Sequence, residues 1–138
     1  MEQIKLIYYL KQKWTEEKDC YWWFTEIQKK EYGRECPEID IDRTIQTEAL
    51  RYMIKKLSSP LELSKNWRKL KEGEKPKDGD GVMMAIKKRP HHIGVALVGG
   101  STINILHCLE GVGMLLSDHI DLISHGWKVK GFLRYEEK

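Results

Sequence analysis

His92-Ile93-Gly94-Val95-Ala96-Leu97-Val98 and Thr102-Ile103-Asn104-Ile105-Leu106-His107, joined by Gly99-Gly100-Ser101, decide the class of fold. Both runs are short, rich in apolar and β-branched residues and bounded by glycine. That predicts two strands, with Val98 to Ser101 supplying the turn of an antiparallel hairpin. Strand geometry then sorts the side chains: His92, Gly94 and Ala96 fall on one face, and Ile93, Val95 and Leu97 on the other. On the second strand His107 shares a face with Ile103 and Ile105. The hairpin can therefore set the two imidazoles side by side, and the small residues next to His92 leave room for a substrate or a facing side chain.

Working outward, Lys77-Asp78-Gly79-Asp80-Gly81 is a turn signal that introduces a strand over Val82 to Ile86. A last strand is expected from Trp127 to Tyr135. Upstream the period changes from strand-like to helical. Ile4, Ile7, Tyr8 and Leu10 predict a short helix between Gln3 and Trp14. Cys20, Trp23, Phe24 and Ile27 form a stripe that predicts a second helix from Cys20 to Tyr32, capped by Asp19 and stopped at Gly33 with Pro37 beyond. A third helix is expected from Thr44 to Leu57, burying Ile45, Ala49, Leu50, Met53, Ile54 and Leu57 and ended by Ser58-Ser59-Pro60. Residues 61–80 read as a loop with one short strand around Trp67. Helices first and strands afterwards give an α+β fold, with N-terminal helices packed on one face of a small antiparallel β-sheet.

The chain has 138 residues with no repeat or dividing linker, so residues 1–138 are read as a single domain. Hydrophobic residues at 41% and charged residues at 33% argue against disorder. A net charge of +3 is too mild for a nucleic-acid binder, and Glu72 and Glu74 interrupt the basic stretch from Lys65 to Lys77, a solvated connector. The longest apolar runs, Leu6 to Leu10 and Ile93 to Val98, are too short to span a bilayer. Glu2, Lys5 and Lys11 break up the N-terminus and no small-residue cleavage site follows, so no secretory signal is expected. No nucleic-acid or membrane partner is expected.

Three cysteines, Cys20, Cys36 and Cys108, are too few for a disulfide scaffold, and an odd number leaves at least one thiol free. A cysteine is nucleophilic as thiolate, and a helix N-terminus and an imidazole both lower its pKa. Cys20 opens a helix, where unpaired backbone N–H groups could also hold an oxyanion. His92 and His107 are the histidines that strand geometry can bring together, one as general base and the other orienting it. Each residue also has a plainer reading: Cys20 as a small core residue, the histidines as structural, and Trp22-Trp23-Phe24 as core rather than a ligand cage. Neither C-x-x-C nor H-E-x-x-H spacing occurs, so no metal or other cofactor is expected. Cys36 and Cys108 read as passive thiols, and His119 and His125 as surface or structural residues.

Taken in order, Asp19-Cys20, Gly79-Asp80 opening a strand, His92-Ile93-Gly94-Val95 and a hairpin ending at Leu106-His107 resemble the NlpC-type cysteine peptidases. These are compact papain-like enzymes that cleave peptide bonds in bacterial cell walls. The likeness is greatest to the phage branch, found in tail-tip and tail-assembly proteins. There an Asp-Cys-aromatic helix ends in a glycine with a proline a few residues on, as Gly33 and Pro37 do here, and Gly131-Phe132-Leu133-Arg134-Tyr135 looks like that branch's last strand. The match runs from about Trp14 to Tyr135.

By that resemblance Cys20 is the nucleophile, His92 the general base and acid, and His107 the residue that orients His92. His92 rather than His91 fits because it directly precedes Ile93-Gly94-Val95. The implied activity is hydrolysis of peptidoglycan stem peptides by a Cys-His-His triad in a phage tail-associated protein. Its partners would be peptidoglycan peptides and tail proteins. Its place would be the cytoplasm during synthesis and afterwards the virion tail. Two alternatives belong to the same resemblance: a tail-assembly protein whose thiol site is vestigial or processes a partner, and a thiol-dependent acyltransferase. The chain departs from the pattern at Trp22, where many relatives have a small residue, and at Lys18, where a glycine often precedes the Asp-Cys pair. Its hairpin between the two histidines is also longer than usual.

Overall fold

Capping chemistry fixes the first elements of the computed structural model, which describes residues 1–37, 66–86 and 92–136. Helix α1 spans Gln3–Leu10 and α2 spans Cys20–Tyr32. The second has the bounds that the sequence predicts: the Asp19 carboxylate accepts the Trp22 N–H at 2.8 Å, and Gly33 closes the last turn at φ 64°. A left-handed residue there suits glycine because it lacks the Cβ that would clash. Helix α1 stops at Leu10 instead of reaching Trp14, because the following segment serves another element: the Gln12 carbonyl accepts the Met114 N–H at 3.1 Å. The expected helix from Thr44 to Leu57 lies outside the described residues, as does His91.

The strands are β1 (Trp67–Lys69), β2 (Gly81–Ala85), β3 (His92–Gly99), β4 (Thr102–Leu109), β5 (Gly113–Ser117) and β6 (Lys128–Tyr135), with a short helix α3 (His119–Ser124) before the last. They form one six-stranded antiparallel sheet in the order β1-β6-β2-β3-β4-β5. Among the described residues the architecture is therefore α+β, with three short helices and an antiparallel sheet. The hairpin β3–β4 pairs Gly94 with His107 and Gly99 with Thr102, as its turn sequence implies.

The predicted stripe of α2 is buried throughout. Cys20, Trp23, Phe24 and Ile27 pack with Tyr9 and Trp67 on Met83, Ile93, Val95, Leu106, Cys108 and Leu133. Full burial of side chains such as Phe24 and Ile27 stabilises by about 2 kcal/mol each. Polar bonds pin the far end of α2 to the turn before β2. Buried Gln28 donates to the Gly79 carbonyl at 2.8 Å, and Tyr32 donates to Asp78 at 2.9 Å. Asp80, buried at the head of β2, is paired with Arg134 at 2.8 Å.

The other face of the sheet corrects the picture of helices on one side only. Leu122 of α3 and Trp127 cover Val82, Met84, Ala96 and Ile105 there. Neither β5 nor α3 is legible in the sequence. The strand offers only a short apolar run. The helix exposes Ile120 and Ile123 and so shows no amphipathic stripe; it is set by a reciprocal capping box between Asp118 and Asp121.

Candidate active site

Cys20 is the first residue of α2, so its position follows from the Asp19 cap. The backbone N–H groups of Ile93 and Tyr21 lie near enough to its sulfur to lower its pKa. The Ile93 contact has a topological cause. Ala96 exchanges backbone bonds with Gly79 and Asp80 on the β2 side, so the alternate residues Ile93, Val95 and Leu97 turn their N–H groups towards β4. The β3–β4 ladder ends at the pair Gly94–His107. One step beyond, the Ile93 N–H and Cys108, the next residue of β4, both lie close enough to the Cys20 sulfur to affect its pKa. Cys20 thus reaches the sheet at the peptide that joins His92 to Ile93, where the two strands part.

The two histidines meet as strand alternation predicts. His92 Nε2 and His107 Nδ1 are 2.8 Å apart, and both rings are buried. Gly94 makes this possible, because a Cβ there would stand 2.9 Å from the His107 Cβ and from the Leu106 carbonyl oxygen. Two further residues join the pair. Ser117 of β5, also buried, places its Oγ 2.9 Å from His107 Nε2. The Trp127 ring lies against His92, with centroids 4.7 Å apart and planes tilted by 33°. Sequence reasoning misses both partners. Ser117 sits in an unread strand, and Trp127 reads only as the start of β6.

Electrostatics divide the site. Burial, with a smaller contribution from His125, pushes the His107 pKa down to about 4, so its imidazole is neutral near pH 7. Burial and then the Asp19 carboxylate push the Cys20 thiol well above the usual thiol range, against the smaller opposing effect of the Ile93 and Tyr21 N–H groups. This reverses the expectation that the helix start lowers the Cys20 pKa. Asp19 already caps the helix and sets a carboxylate beside the sulfur, and only 3% of Cys20 remains exposed.

The remaining residues fall where the sequence reading puts them, with two additions. Cys36 and Cys108 are free thiols, both pushed up to about 12 by burial. Cys108 faces the α2 core, away from His107. His119 and His125 are exposed, although His125 helps to keep His107 neutral. Trp22 is only half-buried, and the Lys18 ammonium lies 5.0 Å over its ring. The two departures at the front of α2 therefore pack on each other, a cation–π pair worth about 0.5–1 kcal/mol at an exposed site.

Among the described residues, no group of three or more His, Cys, Asp or Glu side chains is arranged to hold a metal ion. None of the described helices is long and apolar enough to cross a membrane. In comparisons with known proteins, no family model matches the chain, nor does any curated protein or solved structure.

Proposed function

We propose that the chain is a papain-like thiol hydrolase of the NlpC type that cleaves peptidoglycan stem peptides, with Cys20 as nucleophile, His92 as general base and acid, and His107 orienting His92. The observation that carries this reading is the 2.8 Å bond between His92 Nε2 and His107 Nδ1, one residue from Ile93, whose backbone N–H lowers the Cys20 pKa. With Nε2 engaged by His107, this reading requires the Cys20 thiol to exchange its proton with His92 Nδ1. Because burial keeps Cys20 neutral at rest, deprotonation accompanies attack. The thiol proton passes to His92 as sulfur bonds to the amide carbon. The Cys20 backbone N–H steadies the oxyanion, since the Trp22 and Trp23 N–H groups are taken by Asp19. The imidazolium then gives its proton to the departing amine, leaving a thioester. Water, losing a proton to His92, releases the acid and restores the thiol.

The test is hydrolysis of purified stem peptides by the wild-type chain and by Cys20→Ala. Cleavage is expected to vanish in the variant while circular dichroism and thermal unfolding stay native. Undiminished cleavage by the variant excludes Cys20 as nucleophile. The closed position of Cys20 and its neutral thiol favour a second reading, a tail-assembly protein whose thiol site is vestigial or processes one partner. Copurification with tail proteins and no hydrolysis of any stem peptide supports that reading. Transfer of the acyl group to an added amine or lipid acceptor in place of water marks an acyltransferase.

A further inference from the structure

Beyond the triad, His107 is bonded at both ring nitrogens: Nδ1 lies 2.8 Å from His92 Nε2, and Nε2 lies 2.9 Å from Ser117 Oγ. All three side chains are buried, Ser117 to 6% exposure. Their protons are therefore correlated. We infer that Ser117 is a positioning residue: its hydroxyl oxygen accepts the His107 Nε2–H and so fixes the tautomer that leaves the lone pair of His92 on Nδ1.

A neutral imidazole has one N–H and one acceptor nitrogen. If Ser117 accepts from His107 Nε2, His107 Nδ1 must accept from His92 Nε2–H, and the His92 lone pair is on Nδ1. If Ser117 donated instead, every proton in the chain would shift by one place. His92 would then carry its proton on Nδ1, where it could take none from a thiol. The protonated state decides between these. An imidazolium at His92 donates from both nitrogens, so His107 Nδ1 must accept and its own proton must sit on Nε2. That buried N–H needs an acceptor, and Ser117 Oγ is at the right distance. Burial keeps His107 neutral down to about pH 4, so it has no second proton to satisfy Ser117 and His92 independently. The register supplies the geometry: Ser117 pairs with Ile105, two residues before His107 on the same face of β4.

This inference rests on the thiol-hydrolase reading, which needs the His92 lone pair on Nδ1 and supplies the kinetic readout; the tautomers are measurable without it. Long-range proton–nitrogen NMR of the full chain labelled with 15N-histidine, near pH 7.5, reports which nitrogen carries each proton. In the wild type, His92 and His107 are both expected as Nε2–H tautomers. Ser117→Ala is expected to move both protons to Nδ1 and to lower kcat on stem peptides about ten-fold, the scale of one unmade buried hydrogen bond. Ser117→Thr, which keeps the hydroxyl, is expected to restore both. A wild-type His107 protonated at Nδ1 overturns the inference, and that result needs no variant to fold. So do unchanged tautomers in folded Ser117→Ala. Tautomers that shift as stated in a protein without hydrolysis uphold the role of Ser117 and count against the enzymatic reading instead.

Discussion

Acidification is expected to destabilise this protein through His107. The folded-state pKa of that side chain is pushed down to about 4 by burial, against an ordinary value of 6.5. The unfolded chain therefore binds a proton between these two values that the folded chain refuses. Stability is intact above pH 6.5, falls as pH drops towards 4, and levels off below that. At about 1.36 kcal/mol per pKa unit the whole window is worth about 3 kcal/mol, of which about 2 kcal/mol is lost by pH 5. Against a typical domain stability of about 5–15 kcal/mol that is a large share. The assay is urea unfolding followed by the fluorescence of the five tryptophans, at pH 7 and pH 5, for the wild type and for His107→Gln. Glutamine retains a hydrogen-bonding amide but does not titrate, so the difference between the two proteins removes the contributions of the carboxylates. The wild type should lose about 2 kcal/mol more than the variant over that interval. Equal losses would refute the assignment of a buried neutral imidazole to His107.

Two further perturbations act on the same site. Asp19→Asn keeps a capping side chain at the start of α2 but removes the carboxylate that raises the Cys20 thiol. The pH midpoint for Cys20 alkylation, read by mass spectrometry, should fall; an unmoved midpoint contradicts that electrostatic role. Gly94→Ala would drive a methyl group to 2.9 Å from His107, Ile105 and the Leu106 carbonyl. A loss of about 1–3 kcal/mol in chemical unfolding is expected from that overpacking, and wild-type stability would show that the hairpin yields easily.

Local chemistry made the hairpin and α2 legible. Period-two alternation with glycine at the turn identified β3 and β4, and the same alternation put His92 and His107 on one face, where they bond. Asp19 and Gly33 marked the ends of α2 because caps satisfy backbone groups within a few residues of themselves. The short strand expected around Trp67 is β1. Residues 113–124 were not legible, since β5 is held by pairing with β4 and α3 by a two-aspartate capping box, with little apolar pattern of their own.

The amino-acid sequence by itself determined an α+β chain, a cysteine at the first turn of a capped helix and two histidines on one face of adjacent strands. Those are short-range properties, fixed by residue spacing and backbone geometry. Only the tertiary structure decided that Ser117 completes the histidine pair, that Trp127 lies against His92, and that the Cys20 thiol is raised instead of lowered. The physical reason is that desolvation and cross-strand bonding depend on which distant residues close over a group. A helix N-terminus lowers a thiol pKa, but burial and a neighbouring carboxylate raise it. Here the packed sheet and Asp19 outweigh the N–H groups at Cys20.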